Sequence, residues 1–405
     1  MRAGELLGER YRLVGELGRG GFGVVWEAYD QRLGRQVAVK TLLHQHGSPS
    51  TGTDLARFAR EMKVLARVVH PSVVLIFDQG EAAEPGRSYS YLVMELLNGL
   101  TLKQVLADQR PALPRALHWA RQLCAALAAA HAADVIHRDV KPENIMFTGP
   151  DQQLLKVLDF GIAQIGDNQE AITTEGAVIG SAPYLAPERW RGEPGTVRSD
   201  LYSVGCVLFE LFTGARPFTA TSTYALMAQH LDDPPARPPA LPGDLADLLL
   251  DLLAKEPADR PADAAEVGRR LERAADTIRD LRRRADAAFL AAGEGKAAEA
   301  LDQLRPLVEQ FALAFGPSDG RTVRTCHDFA VLLTRVGALD QAYCLLDELL
   351  PHATAALGEG HPDVEDIQRR LARTPAPERP CPAGMLAALL GPVRPSPGPV
   401  NRTGG

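Results

Sequence analysis

The chain has 405 residues, an apolar fraction of 45%, a charged fraction of 23% and a formal net charge of -7 at pH 7. That length exceeds one ordinary hydrophobic core and predicts two or three domains of globular composition. The acidic balance argues against a primary role on nucleic acid or anionic membrane, both of which select basic faces. An anionic ligand must therefore be held by local groups.

Cys124, Cys206, Cys326, Cys344 and Cys381 are scattered with no CxxC pair. They are expected to be buried free thiols in a reducing compartment, not metal ligands or disulfides. The opening MRAGELLGERYRL has no apolar core of signal-peptide length. The tail's AGMLAALLG falls far short of the roughly 18 uncharged apolar residues of a membrane span. A cytoplasmic protein without a membrane span is expected.

In chain order, YRLVGEL, GRGGFG, VVWEAYD and QVAVKTLL alternate in period two around a glycine cluster, which predicts antiparallel strands over the first 45 residues. DLARFAREMKVLARVV shifts to helical spacing, with Leu55, Phe58, Met62, Leu65 and Val69 on one face. Strands return in VVLIFDQG and SYLVMELL. From TLKQVL onward the long segments are helical, including ALHWARQLCAALAAAHAA, SDLYSVGCVLFELFTG and LADLLLDLLAKE. A small strand-rich lobe thus precedes a larger helical one. The proline run at 232–243 reads as an internal loop.

After Leu271 an apolar stripe at Leu271, Ala274, Ile278 and Leu281 predicts a connecting helix, with Arg282, Arg283 and Arg284 as its solvated face. Residues 286–373 repeat themselves at an offset of 42, which sets Gly295 on Gly337, Ala300 on Ala342 and GPSDGRT on GEGHPDV. A supersecondary unit recurring at that length marks a helical solenoid, and the small residues at the helix crossing resemble tetratricopeptide repeats of the longer kind. About two and a half units fit, fewer than the three or so needed for independent stability. Packing against the first domain or against a second copy, as a homodimer, would make up the difference. The segment 374–405, rich in Pro and Gly, is expected to be disordered.

Gly18, Gly20 and Gly23 form a Gly-x-Gly-x-x-Gly pattern, a weak signal alone. A dinucleotide loop would run into a helix, whereas here a strand follows, so the element is a hairpin able to bring backbone amides close to phosphates. Lys40, ending VAVK, becomes the cationic partner of a nucleotide's α- and β-phosphates, and Glu61 is the candidate acid that fixes its direction. IHRDVKPENI at 136–145 and LDFG at 158–161 complete the set.

With these motifs in this order, residues 11–272 resemble the Hanks-type, eukaryotic-like serine/threonine protein kinases of bacteria. The resemblance implies an α+β, two-lobed kinase fold; the stripe and the 42-residue offset add a connecting helix at 273–285 and an all-α helical-repeat module at 286–373. It implies ATP and Mg2+, with Mn2+ as the alternative metal, and protein substrates with Ser or Thr acceptors, the latter because Lys141 stands two residues after the base. Asp139 would orient the acceptor hydroxyl and take its proton, Lys141 would meet the γ-phosphoryl group, and Asn144 and Asp159 would hold the metal. Nucleotide contacts would come from Leu17, Gly18, Arg19, Gly20, Gly21, Phe22, Gly23, Val24 and Val25. Val25 and Ala38 would roof adenine, Met146 floor it, Met94 guard the rear, and the Glu95 carbonyl and Leu97 amide read its edge. Thr173 or Thr174 in the activation segment is the expected autophosphorylation site, docking on Arg138, with Ser181 near the acceptor pocket. His137, Glu188 with Arg260, and Asp200 have structural counterparts in the family. Two other readings are a silent kinase-like scaffold, disfavoured by the presence of Lys40, Asp139, Asn144 and Asp159, and a small-molecule phosphotransferase, disfavoured by the complete SAPYLAPE segment.

Overall fold

A computed structural model describes residues 1–20, 23–43, 64, 66–84, 87–108, 111–149, 152–160, 181–238, 241–293, 295–316, 318–374, 376–377, 381–382 and 384–390. The chain divides into two compact units, one of residues 1–236 with 248–272, the other of 237–247 with 273–405.

The first unit opens with the strands β1 (Leu6–Leu7), β2 (Tyr11–Gly20), β3 (Gly23–Asp30), β4 (Arg35–Leu43), β5 (Ile76–Glu84) and β6 (Arg87–Met94). They form one antiparallel sheet in the order β1-β2-β3-β4-β6-β5. The period-two pattern decides which face is covered: in β3, Val24, Trp26, Ala28 and Asp30 are buried and alternate with more exposed neighbours. Tyr11, Leu13, Val37, Val39, Tyr91 and Val93 complete that core. The buried Asp30 is tolerable because Arg10 grips it with two hydrogen bonds at 2.8 and 2.7 Å, and the amides of Arg32 and Leu33 donate to it as well. Those bonds outweigh burial and hold the Asp30 carboxyl down at about 2. β5 begins three residues later than VVLIFDQG suggests, because Val73 and Val74 instead bridge to Val157.

A second sheet of β7 (Gly99–Thr101), β8 (Ile145–Thr148) and β9 (Leu154–Val157) lies among the helices α1 (Leu102–Asp108) and α2 (Leu113–His131). α3 (Pro187–Trp190), α4 (Val197–Thr213), α5 (Thr223–Leu231) and α6 (Gly243–Leu252) follow. α4 is the buried axis of this lobe, with every residue from Ser199 to Phe209 buried. Thr196 and Ser199 cap its start reciprocally, and Gly214 ends it at φ +81°, the left-handed conformation that glycine supplies without strain. Gly205 is small for a reason, since a Cβ there would stand 2.8 Å from that of Leu252.

α7 (Ala264–Gly293) is one unbroken helix of 30 residues. Its stripe of Leu271, Ala274, Ile278 and Leu281 is buried throughout. In the second unit α8 (Ala297–Phe315) and α10 (Leu339–Leu357) start 42 residues apart and have equal lengths, and α9 (Gly320–Arg335) and α11 (Pro362–Arg373) start 42 apart as well. Matching features recur at the same stride. Gly316 and Gly358 each have φ +91°, Asp319 and His361 each cap the next helix through a side chain, and Ala300 and Ala342 are fully buried. These are helical repeats.

Two expectations give way here. Cys344 and Cys381 are joined in a disulfide with Cα atoms 5.4 Å apart, while Cys124, Cys206 and Cys326 are buried thiols. Spacing in the sequence gave no sign of the pair, because two cysteines 37 residues apart meet only when the repeat folds back on itself. The segment expected to be disordered contains a short helix, α12 (Met385–Leu390), with Leu386 and Leu390 buried. No helix among the described residues is long and apolar enough to cross a membrane.

Candidate active site

The site is assembled at the ends of strands and in the turns between them. β2 and β3 meet at Gly20 and Gly23, with Gly18 opposite Val25, so the glycine pattern forms a hairpin tip. A Cβ on Gly18 would meet nothing within 4 Å, so packing within the hairpin does not demand a glycine there. Leu17 is half exposed, Arg19 pairs with Glu16 at 2.6 Å, Val24 is buried and Val25 partly so. Gly21 and Phe22 lie outside the described residues.

Lys40 stands opposite Val25 on β3 and Leu92 on β6, and is 8% exposed although cationic. Its Nζ is 2.8 Å from Asp159 Oδ2. Asp159 thus supplies a carboxylate for the lysine, and Glu61, the acid expected there, falls outside the described residues. Ala38 and Met94 are buried and face each other across β4 and β6, while Met146 on β8 is partly buried. Glu95 and Leu97 follow β6 directly. The Glu95 amide donates to Leu75 O at 3.0 Å, and its carboxylate accepts from the Leu75 amide at 2.8 Å and from Lys156 Nζ at 2.7 Å. That bracing of the segment after β6 was missed, since Lys156 is a lone strand lysine in the sequence.

The catalytic-loop candidates lie between α2 and β8. Asp139 Oδ2 is 2.8 Å from Lys141 Nζ, and Ser181 Oγ donates to Asp139 Oδ1 at 2.7 Å. Lys141 Nζ in turn donates to Ser181 Oγ at 2.7 Å, closing a triangle. Asn144 Nδ2 donates to Asp139 O at 2.8 Å and to its carboxylate at 3.0 Å, leaving the amide oxygen as the only atom of that side chain able to ligate a cation. The Leu158 amide donates to Asn144 O at 2.8 Å, which keeps Asn144 close to Asp159.

Asp200 explains how this loop is held. It is 1% exposed and accepts from the amides of His137 and Arg138, each at 2.7 Å, and contacts His131 Nε2 at 2.8 Å. Three contacts from one buried carboxylate fix the turn that carries Asp139. Arg138 and Asp159 have φ of +66° and +57°, left-handed backbone that non-glycine residues adopt at a cost and that clusters at functional sites. His137 is fully buried against Phe160 and bonds Leu158 O, a structural role.

Glu188 and Arg260 form a bidentate buried pair at 2.8 Å, and Ser199 Oγ adds a bond of 2.7 Å to the carboxylate. Burial works against ionisation of Glu188, but the bonds from Arg260 and Ser199 prevail and hold its carboxyl below the usual range. Thr173 and Thr174 lie outside the described residues. His131 and Ser199, like Lys156, carry no motif of their own, and their contacts with motif residues become visible only in three dimensions.

The first unit is a two-lobed α+β structure that carries a lysine, two carboxylates and an amide in its catalytic-loop region together with a glycine hairpin. The chain belongs to the protein kinase domain family, whose profile matches residues 11–269. It is 45% identical over 231 residues to a probable serine/threonine-protein kinase of Streptomyces coelicolor, covering 56% of this chain and 34% of that one. It is 42% identical over 238 residues to the serine/threonine-protein kinase PknB of Mycobacterium tuberculosis, covering 56% of this chain and 36% of that one. A probable kinase of Corynebacterium efficiens is 41% identical over 239 residues, 57% of this chain and 34% of its own length. The chain therefore spans about a third of the length of the curated relatives it matches.

Proposed function

We propose that the chain is an ATP- and Mg2+-dependent serine/threonine protein kinase, the observation that carries this being the triangle of Asp139, Lys141 and Ser181 beside Asn144, Asp159 and Lys40. Phosphoryl transfer asks a protein to position reactants and to offset developing negative charge. Asp139 accepts the proton of a Ser or Thr hydroxyl, and Lys141 and Lys40 place cations along the phosphates. Among the described residues no cluster of three or more His, Cys, Asp or Glu side chains is placed to hold a metal. Mg2+ takes one or two carboxylates plus phosphate oxygens and water, and Asp159 and the Asn144 amide oxygen would supply it with hard oxygen donors. A divalent ion held there would offset phosphate charge; Mn2+ has the same donor preference.

On the same reading, autophosphorylation at Thr173 or Thr174 docks a phosphate on Arg138 and orders the activation segment. The repeats, akin to tetratricopeptide repeats, recruit a protein partner or a second copy of the chain. The need for ATP favours a cytoplasmic location for this domain.

The test is labelled ATP with Mg2+ and a generic acceptor protein. Label should appear on Ser and Thr and disappear in Lys40→Met and Asp139→Asn. Undiminished labelling in both variants would reject the assignment. Phosphosite mapping that finds Thr173 and Thr174 unmodified in fully active protein would reject the autophosphorylation step alone.

A further inference from the structure

The Cys344–Cys381 bond fastens a segment that has little else to hold it. Cys344 lies on α10 and is 3% exposed, and Glu348 is one turn further along the same face. Together they grip the returning chain at two points. The disulfide holds Cys381, and the Glu348 carboxylate accepts from the amides of Gly384, Met385 and Leu386 at 3.0, 3.2 and 2.7 Å. α12 then lays Leu386 and Leu390 against α8 and α10.

α12 spans 6 residues, well below the length at which a helix persists unaided. Pro382 and Gly384 precede it in a stretch whose composition favours an unfolded chain. Two leucines and one capping carboxylate are a small counterweight to the entropy of ordering the segment. Cross-linking it to α10 offsets part of that cost. The described free cysteines do not compete for this chemistry: burial keeps Cys124 and Cys326 thiols up at about 12 and raises Cys206 further. Cys381, by contrast, is only partly buried, unlike Cys344 and the three free thiols.

We propose that the Cys344–Cys381 pair is a redox-sensitive latch that, when oxidised, keeps the 381–390 segment seated on α8 and α10 and, when reduced, releases it. Release proceeds by exchange with a dithiol. One thiolate attacks Cys381 Sγ and displaces the Cys344 thiolate, and the second dithiol sulfur then displaces Cys381 as its own disulfide forms. Two electrons pass from the dithiol to the protein, each cysteine takes up a proton, and the dithiol leaves as a disulfide. A peroxide or a low-molecular-weight disulfide, taking two electrons back, reseats the latch. Its consequence is a repeat face that is covered by the chain's own tail in one state and bare in the other.

The experiment uses the full chain, purified without reductant, with thiols counted after denaturation and amide hydrogen exchange followed before and after dithiothreitol. Three thiols should titrate before reduction and five after. Exchange at 384–390 should rise about tenfold or more on reduction, as local opening becomes easier, while peptides from residues 113–131 and 197–213 stay unchanged. Cys381→Ser, and Cys344→Ser as an independent variant, should exchange fast with and without dithiothreitol. Five thiols in the unreduced chain, or three thiols with exchange at 384–390 indifferent to reduction, would overturn the proposal.

Discussion

Ser181 Oγ donates to Asp139 Oδ1 at 2.7 Å while it accepts from Lys141 Nζ at the same distance. A hydroxyl that both donates and accepts holds the carboxylate and the ammonium at fixed separation and fixes the direction of each. The hydroxyl is the part of Ser181 that the geometry uses.

Ser181→Ala should therefore lower kcat by about tenfold or more, since misdirected catalytic groups cost positioning energy. The melting temperature should not move by more than a degree or two. Ser181→Thr should keep activity near that of the parent. Equal kcat in Ser181→Ala and the parent, by steady-state phosphorylation assay, would remove Ser181 from the positioning role.

Lys40 and Asp159 are paired at 2.8 Å with the lysine largely buried. Asp159→Asn should abolish the Mg2+ dependence of ATP binding while leaving adenosine binding within about twofold, because only the phosphate end relies on the metal. Isothermal titration with ATP and with adenosine, each with and without Mg2+, separates the two effects.

Glu188 and Arg260 are 2% and 3% exposed and bonded twice. Arg260→Met leaves a buried carboxylate without its counter-charge and should cost about 3–5 kcal/mol of stability in denaturant unfolding. Adding Glu188→Gln to that variant should recover part of the loss, because the stranded charge is then gone. No recovery would mean that the other bonds of Arg260, to the carbonyls of Ala254, Arg198 and Lys255, carry the effect.

Asp30 titrates in the fold at about 2, against 3.8 for an unperturbed aspartate, and Glu188 is shifted in the same direction. Both are depressed, so their stabilisation is fully present above the unfolded value and is lost as pH falls through the folded one. Unfolding free energy should drop between about pH 4 and pH 2, and Asp30→Asn should flatten that decline while lowering stability near neutrality. A decline of the same slope in Asp30→Asn would take Asp30 out of the account.

Gly99 lies where β7 crosses β8, and a Cβ placed there would fall 1.8 Å from Phe147 O. Backbone cannot yield as a flexible side chain would. Gly99→Ala is expected to lower the melting temperature by several degrees, a shift of about 1–2 kcal/mol, which a thermal scan would detect.

Much of the site was legible because its residues are constrained by chemistry at short sequence range. Asp139, Lys141 and Asn144 fall within six positions, and the glycine hairpin announced itself by the strand that follows it. What the sequence could not reveal depends on partners brought from afar. Asp200 reaches back 69 residues to His131, and Lys156 pairs with Glu95 over 61. No local pattern distinguishes those side chains from ordinary surface charge. The repeats were legible at the level of their stride, because buried Ala300 and Ala342 and the left-handed glycines are demands of the backbone. The Cys344–Cys381 contact was not, since it joins a helix to a tail whose composition points toward disorder.

The stride itself sets how this part of the molecule can change. When each helical pair rests mainly on the next, a whole pair can be added or lost without retuning those further away. A duplication of residues 316–357 would keep every glycine turn and every cap in step, from Gly316 to Gly358. An insertion of any other length inside α9 or α10 would rotate the downstream helices off their neighbours. Lineages of this chain are thus free to lengthen their repeat array, but only in whole paces.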